Sequence, residues 1–222
     1  GKEGSYFCPA CTKTIKLVRQ VCPVCERQTP FGQTHSFCLT RNSPDGLISF
    51  FDYNGIIRNA VHQLKYKFVT DLEKEFWQII VGDIEKRKEE MLLLKRFIDD
   101  EKPIVVPVPL HRQKENLRGF NQSSLFGKRM ADLWKLSFSD KILVRYRKVE
   151  SQTKLTQKER AENIKGIFTI NSMSLRAMQE HGEAISVILV DDVWTTGSTL
   201  KEAARVLKEV GIRKVWGITI IR

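Results

Sequence analysis

The chain has 222 residues, 41% hydrophobic and 28% charged, ordinary values for a globular protein with room for one sizeable core and a small appendage. It has no run of about 18 apolar residues, so no membrane span is expected, and its opening Gly1-Lys2-Glu3-Gly4 lacks the apolar stretch of a signal peptide, which makes the cytoplasm the expected compartment. With 37 Lys and Arg against 26 Asp and Glu, the net charge of +11 favours polyanionic partners such as nucleic acid or phosphorylated metabolites, although a solvated basic surface gives the same count.

All five cysteines lie within the first 38 residues, as Cys8-x-x-Cys11, Cys22-x-x-Cys25 and then Cys38, which argues against a scattered disulfide framework. Two thiolate pairs, each on a tight knuckle, supply the tetrahedral sulfur shell that zinc prefers. The expected ligands of a structural Zn2+ are therefore Cys8, Cys11, Cys22 and Cys25. His35-Ser36-Phe37-Cys38 repeats the two-residue gap and makes His35 and Cys38 alternates, with a surface role equally open to His35. Six candidates are two too many for one closed site. Such a site positions rather than reacts, because catalysis requires an open coordination position.

Residues 1–42 read as this zinc-binding module, poor in apolar residues and dependent on its ion to fold. The turn formers of Arg41-Asn42-Ser43-Pro44-Asp45-Gly46 mark the boundary, and residues 43–222 read as a second domain. There, 47–53 has strand character, Asn54-Gly55 is a turn signal, and Ile57, Ala60, Val61 and Leu64 recur at helical spacing. One longer helix is expected over 71–97. Residues 104–108 form a β-branched run between prolines, suited to a buried parallel strand. A helix is expected over 123–136, strands over 142–144 and 167–170, the clearest strand over 185–190, the clearest helix over 200–210 with Gly211 as its stop, and a last strand over 215–221. Strands alternating with helices predict a three-layer α/β fold on a parallel sheet.

The sharpest motif runs from Val187 to Leu200: an apolar strand, Asp191 and Asp192, a hydroxyl-rich turn, then a helix. In open α/β sheets ligands bind beyond the carboxyl ends of the strands, where this acid pair must lie. Adjacent carboxylates there accept hydrogen bonds from vicinal ribose hydroxyls and help hold Mg2+. Thr195, Thr196, Gly197, Ser198 and Thr199 then offer backbone N–H groups and hydroxyls at a helix N-terminus, which grips a phosphate without a lysine. A simple capped helix accounts for one hydroxyl, not four behind an acid pair.

This stretch resembles the phosphoribosyl-pyrophosphate loop of the type I phosphoribosyltransferases. Two further segments narrow the resemblance to the ComF/GntX family of amidophosphoribosyltransferase-like proteins, which includes late competence proteins of bacterial DNA uptake. One is Val106-Pro107-Val108-Pro109-Leu110-His111-Arg112 continuing to Arg118-Gly119-Phe120-Asn121-Gln122; the other is Gln152-Thr153, Leu155 and the stretch from Arg160 to Asn163. The cysteine pairs and Leu64-Lys65-Tyr66 also fit. From the residues themselves, Arg112 and Arg118 are placed to face a pyrophosphate. Asn121 and Gln122 read as helix cappers or ligand contacts, and Arg160 as a phosphate contact or a surface ion pair.

The resemblance implies two functions. One is a cytoplasmic accessory factor of natural transformation that holds single-stranded DNA or a nucleotide, with a competence helicase as partner. The other is a transferase that moves ribose 5-phosphate from phosphoribosyl pyrophosphate to an acceptor no stretch of sequence identifies. In it Asp191 and Asp192 orient the ribose, while Mg2+ with Arg112 or Arg118 steadies the leaving group. Arg145-Tyr146-Arg147-Lys148 interleaves cations with an aromatic that offers a base a stacking face, yet at strand spacing Tyr146 is expected to be buried instead. A third reading, DNA recognition by the zinc module, has Lys13, Lys16 and Arg19 for a basic face but no recognition helix.

Overall fold

Residues 104–107, 187–190 and 215–221 carry almost no polar side chains, the composition of strands covered on both faces. The computed structural model, which describes residues 6–53, 55–66, 70–147, 162–178 and 185–222, places them in that setting. The strands are β1 (Gly46–Phe51), β2 (Ile104–Pro107), β3 (Leu143–Arg145), β4 (Phe168–Ile170), β5 (Val187–Val193) and β6 (Val215–Ile221). The helices are α1 (Pro9–Lys13), α2 (Gly55–Tyr66), α3 (Thr70–Lys86), α4 (Leu92–Glu101), α5 (Arg112–Arg118), α6 (Gln122–Trp134), α7 (Ser172–Met178) and α8 (Ser198–Glu209).

The main sheet is fully parallel in the order β1-β6-β5-β2. Side chains alternate along each strand, so β5 sends Ile188 and Val190 to one layer and Val187 and Leu189 to the other. The first layer is closed by Ile57 of α2, Phe76 of α3, Leu94 of α4 and Phe126 of α6; the second by Leu200, Ala203 and Leu207 of α8 with Leu143 and Phe168 of the β3–β4 ribbon. This is the three-layer α/β arrangement expected from the alternation of strands and helices.

The cysteine-bearing segment lies along β1, where an unpaired edge would otherwise face solvent. Leu17 and Gln33 make single antiparallel bridges to Phe51 and Gly46. Gln20 behaves as a piece of strand: its side-chain amide donates to the Ser49 carbonyl and accepts the Ser49 N–H, each at 3.0 Å.

Three sequence expectations change. The single helix over 71–97 is two helices, broken at residues 87–91. At the break Arg87 is only 6% exposed and turns inward to bond Asp83 and the carbonyls of Val18 and Phe50. The strands over 142–144 and 167–170 pair antiparallel with each other, outside the main sheet. Finally, α5 occupies a stretch read as loop, capped by His111 through its ring nitrogen and ended by Gly119 at a φ of 77°.

Burial lifts the Asp83 carboxyl above its ordinary value, against the pull of the guanidinium beside it. Arg87→Ala leaves that carboxyl buried without its partner and is expected to lower the unfolding free energy in urea by about 3–5 kcal/mol. Replacing both residues by Leu and Met is expected to recover most of the loss. A single-variant cost below about 1 kcal/mol would mean that water satisfies Asp83.

Candidate functional site

The segment around Cys22 folds back on itself. Cys22 N–H donates to the Arg27 carbonyl and Glu26 N–H to the Cys22 carbonyl, both at 2.9 Å, with Glu26 at a left-handed φ of 60°. A second turn closes where Cys38 N–H donates to the His35 carbonyl at 2.9 Å. Together the turns bring one ligand atom each of Cys22, Cys25, His35 and Cys38 within 4.8 Å of one another, with Cys25 Sγ and His35 Nδ1 3.3 Å apart. A tetrahedral ion with bonds of about 2.0–2.3 Å holds its ligands roughly 3.3–3.8 Å apart, so the four fit a structural metal.

The thiols themselves argue for a cation. Burial opposes ionisation of Cys22, yet N–H groups of Cys25, His35 and Val24 bring its thiol down to about 7. Burial, followed by the sulfurs of Cys25 and Cys22, pushes Cys38 up to about 11. One thiolate suppresses the next, and a divalent ion removes the conflict.

The set differs from the shell of Cys8, Cys11, Cys22 and Cys25 that the spacing favours. Cys8 and Cys11 lie outside the cluster and face each other, with sulfurs 3.1 Å apart and the Cys11 N–H donating to Cys8 Sγ at the start of α1. Their segment is drawn to α3 instead. Tyr6 and Phe7 N–H donate to the Glu75 carboxylate at 2.9 and 3.0 Å, and Phe7 stacks on Phe76 at 5.9 Å. His35 and Cys38, the alternates, complete the group.

At the carboxyl edge of the sheet, β2 makes its last pair with β5 at Pro107 and Val190, so Asp191 and Asp192 lie just past it. Asp191 Oδ1 accepts from Ser123 Oγ at 3.1 Å and from Asp192 N–H at 2.9 Å. Asn121 caps α6 by accepting the Ser123 N–H, and its Nδ2 donates to the Val108 carbonyl, both at 3.0 Å. A continuous chain of bonds therefore runs from the end of β2 to the end of β5. It makes Asn121 a capper and the positioner of Ser123. Arg112 opens α5 and is exposed, while Arg118 donates to Gln122 Oε1 at 3.2 Å.

Arg145, which the sequence reading named only as one cation of the stretch Arg145-Tyr146-Arg147-Lys148, lies near enough to feel the charge of Asp191. Its guanidinium lies over the Phe168 ring at 5.9 Å, and its Nε is buried with no hydrogen-bond partner among the described residues. Burial holds its pKa below the ordinary value, and the charge of Asp191 works in the opposite sense. The available signal was the alternation of β3, which turns Leu143 and Arg145 to one side and Val144 to the other. Tyr146, expected to be buried, is 58% exposed. Gln152, Thr153, Leu155 and Arg160 lie outside the described residues.

Beyond Val193 the chain turns sharply. Trp194 N–H donates to the Ile221 carbonyl at 2.7 Å, and its ring is buried beneath the turn. Gly197 has a φ of 67°, and a Cβ there would fall 2.1 Å from that ring, so only glycine fits. Gly197 is also the cap residue of α8 and brings no side chain to its first N–H groups. The Thr196 and Ser198 hydroxyls bond each other at 2.9 Å, and Ser198 N–H reaches Thr196 Oγ1 only at 3.5 Å. A helix start without a close capping side chain, among hydroxyls, is suited to an anion.

Residues 121–222, from the α6 cap to the last strand, match the phosphoribosyl transferase domain family. The ComF/GntX resemblance extends over nearly the whole chain. It is 26% identical to the DNA utilization protein YhgH of Salmonella typhimurium, over 94% of this chain and 87% of that protein. It is 26% identical to competence protein F of Haemophilus influenzae, over 96% and 89%, and 27% identical to competence protein ComFC of Bacillus subtilis, over 100% and 86%. No solved structure matches the chain. Among the described residues no helix is long and apolar enough to cross a membrane.

Two outcomes are expected from this geometry. Elemental analysis of the purified protein should find about one equivalent of divalent metal, lost in Cys22→Ser or Cys38→Ser and kept in the Cys8→Ser/Cys11→Ser variant; metal lost from the latter would return the first pair to the shell. Gly197→Ala should cost about 1–3 kcal/mol of stability, read from its urea midpoint, because the strained turn must move off Trp194.

Proposed function

We propose that the chain handles single-stranded DNA in a competence-type uptake system through a site of the phosphoribosyl-pyrophosphate kind. The observation that carries this is the joining of two features at one sheet edge, the acid pair Asp191–Asp192 and the uncapped, hydroxyl-rich start of α8. In this reading Thr195, Thr196, Gly197, Ser198 and Thr199 take a phosphate through backbone N–H and hydroxyl donors. Asp191, fixed by Ser123, and Asp192 face the sugar. Two adjacent carboxylates fit a magnesium ion, which would screen their charge from the phosphate. The competence and DNA-utilization roles of the relatives support the strand as ligand, and so does a net charge of +11. Zinc on Cys22, Cys25, His35 and Cys38 holds the N-terminal module in shape.

A second reading, transfer of ribose 5-phosphate, is favoured by Arg145. A desolvated guanidinium close enough to feel Asp191 is the type of group that receives a leaving pyrophosphate. The acceptor's lone pair would form the new bond at C1 as the C1–O bond breaks; pyrophosphate would leave with that electron pair and the acceptor would lose its proton. Asp191 and Asp192 would favour the positive charge on the ribose ring.

The test is a titration of the full chain with phosphoribosyl pyrophosphate and with a thymidine oligonucleotide, both with magnesium, beside a Thr196→Val/Ser198→Ala variant. Strand handling predicts oligonucleotide binding that weakens steeply with salt, falls about tenfold in the variant and is displaced by phosphoribosyl pyrophosphate. Oligonucleotide binding indifferent to the loop variant sinks that reading. Pyrophosphate release with none of a panel of nucleobases and amines sinks the transferase.

A further inference from the structure

An open cleft of about 430 Å³ lies between the metal module and α8, beside the turn that carries Thr196 and Ser198. Its size is that of a small-ligand site, for which about 300–1,000 Å³ is usual. Val24, from the turn that holds Cys22 and Cys25, and Pro44 give it apolar walls. Asn42, Lys165, Thr196 and Ser198 give it a polar edge.

Three observations restrict what fits. Asn42 Oδ1 is buried and has no hydrogen-bond partner among the described residues, so the cleft holds an acceptor in want of an N–H donor. Lys165 is exposed and makes no ion pair or hydrogen bond among the described residues; its charge reaches Glu202 on the same wall, which Arg205 already pairs, so its ammonium can also meet an anion. The other two cations of the wall are engaged: Lys201 with Glu26 at 3.3 Å and with the Thr196 carbonyl at 3.4 Å, and Arg205 with Glu202 at 2.7 Å. They shape the wall. An apolar slot with one hydrogen-bond acceptor and one unpaired cation suits a nucleobase followed by a phosphate.

Thr196 and Ser198 belong to the cleft and to the turn alike, so a phosphate seated on residues 195–199 has the cleft as its neighbour. We propose that the cleft receives the nucleoside on the outer side of that phosphate, so that the site takes an internal phosphodiester of a strand. One nucleoside then lies toward Asp191 and Asp192, its neighbour lies between Val24 and Pro44 with its N–H edge on Asn42, and the next phosphate meets Lys165. The proposal rests on the reading of residues 195–199 as the phosphate loop. A mononucleotide or phosphoribosyl pyrophosphate, which ends at that phosphate, leaves the cleft empty.

The experiment compares thymidine 5′-monophosphate with hexathymidylate on the full chain and on an Asn42→Ala/Lys165→Ala variant, with Val24→Glu as a second, independent block of the wall. The expected result is a loss of about tenfold or more for the hexamer in both variants, with monophosphate affinity unchanged. Hexamer affinity that is unchanged, or that falls in step with the monophosphate, overturns the cleft assignment. If wild type binds neither probe, the loop reading and the cleft fail together. If it binds the hexamer alone and the variants weaken it, the cleft contacts a strand but the loop reading falls, and the placement of the cleft on the outer side of a loop phosphate falls with it.

Discussion

A parallel sheet gathers the carboxyl ends of all its strands at one edge, and the chemistry of this protein depends on that constraint. In β5 the residues from Val187 to Val190 are covered on both faces, and polar side chains become tolerable only where the cover stops. Asp191 is the first residue past the last pair with β2, so the length of the apolar run sets the place of the acids. The same edge receives the end of β2, whose next carbonyl, Val108, is bonded by Asn121. Ser123, carried by that cap, then fixes Asp191. Two strand ends and one helix start are thereby locked into a single polar unit with few ways to relax.

The cysteine-bearing segment answers a different problem at the other side of the sheet. β1 is an edge strand, and its exposed backbone is paired piecemeal by Leu17, Gln20 and Gln33 rather than by a further full strand. A segment so poor in apolar residues has little core of its own, and the cluster of Cys22, Cys25, His35 and Cys38 is compatible with a structural metal in its place. Its second task follows from position. Glu26, next to Cys25, pairs with Lys201, whose ammonium also touches the Thr196 carbonyl and lies 5.3 Å from the Trp194 ring. The turn at Cys22 and Cys25 therefore braces the turn that opens α8.

Much of this was legible in sequence because the signals were local. The β-branched runs gave β2, β5 and β6, and the order of acids, hydroxyls and glycine gave the turn at Gly197, whose positive φ is a property of the residue type. Signals set by distant contacts were not legible. Periodicity carries 71–97 as one helix, since nothing near Arg87 in sequence shows that Val18 and Phe50 wait for its guanidinium. Cys-x-x-Cys spacing cannot tell that Glu75 and Phe76 draw the first pair away and leave the second to His35 and Cys38. Arg145 was legible only as one cation of a basic, aromatic stretch, because Asp191, whose charge it feels, stands 46 positions along the chain.

The acid pair also bears on the ligand. Two carboxylates beside an anion site repel the anion, so Asp191 and Asp192 weaken any bare phosphate that approaches the loop. They contribute only when a cation or a pair of sugar hydroxyls stands between. A deoxyribose strand brings no 2′-hydroxyl, whereas phosphoribosyl pyrophosphate brings both vicinal hydroxyls and a magnesium-binding diphosphate. On the proposed reading, affinity for a strand then draws on the donors of the loop, on Lys165 of the cleft and on the wider basic surface rather than on the acids, which favour a metal-carrying ligand. On the proposed reading, strand and ribose phosphate share the loop and differ at its two sides, the cleft on one and the acid pair on the other.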